Sequence, residues 1–396
     1  MLAAATVGAL ACAGLAACTP APSGPPVAVL FPGDTDDAWG ASAEVLRQEL
    51  ADDGYAVEVR FAGDDIPTQL EQLRDVLDAA PVAVVIAPVD ATAIAAVLDE
   101  EAAPEVAVIA YDELILDSAQ VDYFATFDHR AAGRLRAEAL VTALGLAEDP
   151  DGEPAPGEPA PVELLAGSGD DRGAQDAFAG ALEVLQPYLD AGRLTVPSGR
   201  LTLEQAAVLR GDPGTAAERV AELLEDGVEL AGVLSPSDAM SAAVAKVLAE
   251  RELSIVPPGE RWSAAPVPPD DEPSSPTATP PPPDATTPPN TDAQPDGAAE
   301  SGAESKQITA SVVLTGGGSS LAGARAMRDG TQTSTVYEGS RELARVVASM
   351  VREVVKGSAP TVTQGATTDN GMREVPTRLL EPRLVATRDE ATALLR

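Results

Sequence analysis

Chemistry-bearing side chains recur directly after apolar runs in this sequence. The run 106–110 stops on Tyr111, Asp112 and Glu113, and the run 121–127 stops on Asp128 and His129. Trp39 follows the first apolar run, Asp90 the third, Asp170, Asp171 and Arg172 the run at 162–165, and Asp238 the run at 232–234. Together they offer carboxylate acceptors, one indole face, one imidazole and one guanidinium, a set suited to holding a small polar molecule by hydrogen bonds. The plainer reading of any one acid is a loop residue or a helix cap.

Bond-making chemistry finds little to work with. His129 is the single histidine, so no two-histidine metal site can be built, and no serine–histidine pair beyond this one residue. The acid pairs Asp36–Asp37, Asp64–Asp65 and Asp170–Asp171 resemble solvated faces or caps more than a glycosidase pair. Gly316–Gly317–Gly318 lacks the lysine and the Ser/Thr-capped helix of a phosphate loop. No catalytic residue, metal or cofactor is expected.

These side chains need a scaffold that lines up strand ends. Apolar runs at 27–31, 57–61, 82–87, 106–110 and 121–127 alternate with helical patterns at 41–53, 67–80 and 130–144. The alternation resumes with strands at 162–165, 194–197, 232–234, 310–314 and 334–337. Helices are expected at 174–189, 213–225, 239–250, 321–329 and 341–356. Continuous rather than alternating apolar strands imply an α/β fold whose parallel sheets are covered on both faces. In such sheets the loops after the strands open onto the ligand crevice, and helix N-termini point free N–H groups into it.

The 396 residues suffice for two domains, and 45% apolar content supports packed cores, though aromatics make up only 3%. A formal charge of −37 repels phosphates, so neither nucleic acid nor an anionic lipid surface is an expected partner. Residues 1–17 are small, apolar and uncharged, as in the apolar region of a secretory signal peptide. Leu15-Ala16-Ala17-Cys18 resembles a bacterial lipobox, with Cys18 as the lipidation site and 18–26 as an extended tether. Two stretches, 148–161 and 257–306, are rich in Pro and acids, with few apolar side chains beyond Trp262 and Val267. They are expected to be disordered insertions.

AYDELI followed by VDYFATFDHRAAG resembles the AYDRLI and VDYYVSFDN segments of periplasmic sugar-binding proteins of the xylose and multiple-sugar type, solute receptors of ABC importers. The resemblance continues, in the family's order, through LLAGSGDDRGA, LQPYLDAGRL, VLSPSDAM, GTQTSTVYEGSRELA and DNGMREVPTRLLEP. It implies a two-lobed fold, each lobe a parallel sheet flanked by helices, joined by a three-crossing hinge that closes on a ligand. Lobe 1 is expected at 27–122 plus 320–358, and lobe 2 at 123–319 plus 359–396. It also implies a sugar site, where aromatic faces cover the ring and polar groups satisfy each hydroxyl.

By this resemblance Trp39, Asp112, Asp171 and Asp238 match family positions, and Asp90, His129 and Arg172 complete the expected ligand-binding set. The chain departs from the pattern elsewhere. Ala38 and Glu113 stand where the family has arginine, His129 where it has asparagine, and Gly317–Gly318 where it has Gln-Asp. The expected protein is a monomeric, lipid-anchored, extracytoplasmic receptor that binds xylose or a related monosaccharide and delivers it to an ABC permease. The alternative is a degenerate receptor-fold lipoprotein acting as a sensor or interaction module. A hydrolase has no catalytic constellation to support it. A repressor is disfavoured because a secretion signal, not a basic helix-turn-helix, precedes the first strand.

Overall fold

The computed structural model of the protein describes residues 24–33, 38–146, 157–262 and 310–396. The expected signal peptide, Cys18 and most of both insertions lie outside the described residues. The chain divides into two compact units. Unit 1 holds residues up to Gly133, with Gly317–Leu321 and Val336–Leu384; unit 2 holds Arg134–Gly316, Ala322–Thr335 and Val385–Arg396.

Unit 1 begins with β1 (Pro26–Phe31), α1 (Ala38–Asp52), β2 (Ala56–Phe61), α2 (Ile66–Asp78), β3 (Ala83–Ile86), α3 (Ala95–Glu101), β4 (Ala107–Tyr111) and β5 (Tyr123–Phe127). Helix α4 (His129–Ala143) leads into unit 2. That unit holds β6 (Ala160–Leu164), α5 (Arg172–Asp190), β7 (Leu194–Thr195), α6 (Leu203–Ala206), α7 (Pro213–Glu225), β8 (Gly232–Leu234), α8 (Asp238–Glu250), β9 (Ser254–Ile255) and β10 (Ser311–Leu314). The rest of the chain forms β11 (Gly317–Gly318), α9 (Ala322–Asp329), β12 (Thr335–Tyr337), α10 (Ser340–Val355), β13 (Thr367–Asp369), β14 (Glu374–Leu380), β15 (Arg383–Val385) and α11 (Arg388–Leu394).

The unit 1 sheet has the order β13-β14-β5-β4-β3-β1-β2. Its pairings are parallel except the β13–β14 hairpin. Because side chains alternate across a strand, Val27, Val29 and Phe31 of β1 join the core under α1 and α10, with Leu46, Leu50, Val347 and Val351. Ala28 and Leu30 face the other way, into the core under α2 and α3 with Leu73, Val76 and Leu98. Burial on both faces explains why these strands read as unbroken apolar runs. Asp65 caps α2 by accepting from Thr68 N, with a proline in the first turn.

The unit 2 sheet is parallel throughout, in the order β7-β6-β8-β10-β9. Val162, Leu164 and Val313 pack with Leu140 and Val141 of α4 and Phe178 and Leu185 of α5. Val233, Val312 and Leu314 pack with Val220 of α7 and Val244 and Leu248 of α8. A small third sheet has the order β11-β12-β15.

Unit membership differs from the sequence reading at four places, one of them 317–319, which belong to unit 1. Strand β5 pairs with β4 through Tyr111↔Ala125 and with β14 through Phe124↔Thr377, so 123–133 belong to unit 1. The β13–β14 hairpin brings 359–384 into unit 1 as well, and α9 belongs to unit 2. The end of the first expected insertion and the start of the second are built into unit 2. Ala160 already pairs in β6, and Trp262 is partly buried against the unit 2 core. Its backbone N–H donates to Ala143 O at 2.7 Å and its indole N–H to Ser311 O at 2.8 Å.

Candidate functional site

In each unit the expected residues lie just beyond the C-terminal ends of parallel strands, where an open α/β sheet presents its ligand-binding edge. Unit 1 carries Trp39, Asp90, Asp112 and His129, and unit 2 carries Asp171, Arg172 and Asp238.

Trp39 is the second residue of α1 and is partly buried. Its ring centroid stands 5.3 Å from that of Phe31 and 6.1 Å from that of Tyr111. Tyr111 is itself buried, with its hydroxyl donating to Ser42 Oγ at 3.0 Å, and burial pushes its phenol up from 10.0. The indole therefore rests on a rigid aromatic base rather than in a loose loop.

Asp112 follows β4 with φ 63°, a left-handed conformation that aspartate tolerates better than most side chains. Its N–H donates to Ala125 O of β5 at 2.8 Å, which holds the turn, and Thr126 Oγ1 lies 3.4 Å from its Oδ1. Next along β5, Asp128 caps α4 by accepting from Ala131 N at 2.8 Å, as the plainer reading of that acid holds. His129 then starts the helix with both ring nitrogens engaged. Nε2 is 3.0 Å from Thr126 Oγ1 and Nδ1 is 3.0 Å from Glu338 Oε1.

Asp90 is exposed and serves its own turn. Its Oδ1 accepts from Thr92 N at 2.9 Å, Thr92 Oγ1 at 2.8 Å and Ala93 N at 2.9 Å. These donors, the Ala93 amide foremost, hold its carboxyl below 3.8. In unit 2, Asp171 caps α5 by accepting from Ala174 N at 3.2 Å, and Arg172 is the exposed first residue of that helix. Both lie after β6, beside β8, at the point where the strand order reverses.

Asp238 is the most enclosed of the set, at 7% exposure. Ser237 caps α8 and places Asp238 in its first turn, where the helix dipole favours negative charge. Its Oδ1 accepts from Gln332 Nε2 and Thr335 Oγ1, both at 2.8 Å, and its Oδ2 from Gly323 N at 3.0 Å. Burial raises its carboxyl above 3.8, against those bonds and the nearby Arg136 charge. Two glycines make room for it. A Cβ at Gly323 would stand 2.5 Å from each Asp238 carboxylate oxygen, and one at Gly316 would stand 2.5 Å from Oδ1 and closer still to Gln332. Close backbone approach to this carboxylate is thus the structural use of the first glycine in the triplet.

Sequence reasoning missed Thr126 and Glu338 in unit 1, and Arg136, Gly323, Gln332 and Thr335 in unit 2. Glu338 directly follows β12 and so matched the strand-end pattern that flagged the others. Gln332 and Thr335 owe their role to tertiary contact alone. Among the described residues no group of three or more His, Cys, Asp or Glu side chains is arranged to hold a metal ion.

A model of the periplasmic binding protein domain matches residues 27–257. The multiple sugar-binding periplasmic receptor ChvE of Rhizobium radiobacter is 30% identical over 359 residues, covering 90% of this chain and 85% of the receptor. The D-xylose-binding periplasmic protein of Escherichia coli is 24% identical over 346 residues, covering 87% and 82% respectively. Among solved structures, an ABC transporter solute binding protein from Clostridium phytofermentans with bound β-D-glucose superposes with a TM-score of 0.71 at 25% identity. That match covers 94% of this chain and 96% of the other. Parallel sheets with acids at their C-terminal edges, a domain match over more than half the sequence and a relative alike along nine-tenths of it have one reading in common: the chain belongs to the periplasmic binding protein family.

Proposed function

We propose that the protein is an extracytoplasmic receptor that binds a small sugar, a pentose or hexose, and delivers it to an ABC importer. The observation that carries this reading is the 30% identity to a multiple sugar-binding receptor, sustained over 90% of the chain. The glucose-bound relative from Clostridium phytofermentans supports it. The chemistry is recognition alone, with no bond made or broken.

In this reading Asp112 and Asp238 accept hydrogens from sugar hydroxyls, Trp39 covers an apolar ring face, and His129, Asp171 and Arg172 add polar contacts. Asp238 has about four lone-pair directions, and three protein donors already hold it, so it meets a ligand along the one that remains. Asp90, with Oδ1 serving three turn donors, would meet a ligand through Oδ2. Each hydroxyl donated to a carboxylate is worth roughly 1.5 to 3 kcal/mol, so two such bonds amount to roughly a hundredfold to ten-thousandfold in affinity. The chain is further proposed to be tethered to the membrane by a lipid on Cys18, with no other macromolecular partner than its permease.

Isothermal titration with D-glucose, D-xylose and D-galactose tests the reading. Micromolar or tighter binding of at least one sugar, lost in Asp238→Ala, is the expected result. Flat isotherms for all three from folded protein would refute it and favour a second reading, a sensor or interaction module with a receptor fold. What favours that second reading is Ala38 and Glu113 in place of the family's arginines, together with a central carboxylate largely satisfied by its own protein.

A further inference from the structure

One run of hydrogen bonds in unit 1 crosses three strand ends without a break. Glu338 Oε1, just past β12, is 3.0 Å from His129 Nδ1. His129 Nε2 is 3.0 Å from Thr126 Oγ1, and Thr126 Oγ1 is 3.4 Å from Asp112 Oδ1. Thr126 and Glu338 are both buried, and the His129 side chain between them is 26% exposed.

The hydrogens along it can be counted. A threonine hydroxyl has one to give, and an ionised glutamate only accepts, so His129 Nδ1 carries a hydrogen towards Glu338. When the ring is neutral, Nε2 is bare and takes the Thr126 hydrogen, which leaves Asp112 Oδ1 without a donor from Thr126. When the ring is protonated, Nε2–H donates to the Thr126 oxygen and the hydroxyl turns its hydrogen towards Asp112.

We propose that Thr126, set by His129 and Glu338, is a positioning residue that governs how many ligand hydroxyls Asp112 can accept. The proposal rests on the reading of the chain as a sugar receptor with Asp112 in its site. Among the described residues, the charged groups bonded along the run include Glu338 from the turn after β12 and Asp112 from the end of β4, while Asp128 and Arg130 flank the ring in sequence. In consequence sugar affinity falls as the ring is protonated, because Thr126 then occupies an Asp112 lone pair that a hydroxyl would use. One hydrogen bond from a hydroxyl to a carboxylate corresponds to about a ten- to hundredfold change in Kd.

Because His129 is the sole histidine, nitrogen-15 NMR reads its ring directly in the full chain, without any ligand. The expected neutral form carries its hydrogen on Nδ1, opposite to the tautomer that a free imidazole side chain favours, and Glu338→Gln lowers the titration midpoint by about one pH unit or more. A neutral ring in the Nε2–H form overturns the proposal. With a sugar that binds, the pH step in Kd is expected to flatten in Thr126→Val and return in Thr126→Ser. A step that survives Thr126→Val at full size also overturns it. If no sugar binds while the Nδ1–H tautomer is seen, the hydrogen-bonded run stands and the receptor reading fails.

Discussion

Gly323→Ala is a one-carbon probe of the Asp238 cluster. Gly323 sits in helix α9 with an ordinary helical backbone, so alanine there brings no conformational strain and, as the better helix former, gains about 1 kcal/mol. Against that gain, the new Cβ would stand 2.5 Å from both carboxylate oxygens, about 1 Å inside the ~3.5 Å optimum for non-bonded contact. The carboxylate cannot step aside cheaply. Gln332 and Thr335 hold Oδ1, and the Gly323 N–H itself holds Oδ2. Overpacking a tight site costs about 1 to 3 kcal/mol, and loosening one hydrogen bond to a charged acceptor costs about 1.5 to 3 kcal/mol more. The net expectation is a loss of about 1.5 to 5 kcal/mol in stability once the helix gain is subtracted. Urea unfolding followed by circular dichroism measures it, with sugar titration of the same sample to read the carboxylate's availability. A variant as stable as the parent or more so, with unchanged affinity, would refute the argument that glycine is there to let the backbone reach Asp238.

Two further expectations concern Asp238 and the amino terminus. The folded Asp238 carboxyl lies above its ordinary 3.8, so its contribution to stability is fully present below about that pH and is lost as pH rises through the folded value. The melting-temperature advantage of the parent over Asp238→Asn should therefore shrink from about pH 4 to about pH 8; a constant or widening gap counts against a raised carboxyl. Cys18→Ser should move the protein from the membrane fraction to the soluble extracytoplasmic fraction, and equal membrane retention of the variant would exclude an anchor on that cysteine.

Much of the scaffold was legible because double-sided burial writes itself as apolar runs. Strands β1, β3 and β4 and helices α5, α7 and α8 fall within a few residues of where pattern alone places them. Elements whose identity depends on a distant partner were not legible. The hairpin β13–β14 is read only once β14 is seen to pair with β5, and α6 and β9 are too short for a period to register. At the candidate site, sequence pattern located the strand-end residues but not what each is bonded to. Asp90 and Asp171 cap their own turns, as their type and position allow. The supports of Asp238 come from residues 323–335, more than eighty positions away. No local spacing encodes that assembly.

The Trp262 anchor has a consequence for engineering. Its indole N–H is bonded to Ser311 O, and Ser311 in turn pairs with Ser254 in the neighbouring strand, so the described segments that end at Trp262 and resume at Ala310 meet at one spot in unit 2. The entropy of bridging two such nearby points grows only with the logarithm of the number of residues spanned. A reporter domain or an affinity handle grafted between Trp262 and Ser311 would hang from a single pinned doorway, with the flanking sheet register already locked on either side.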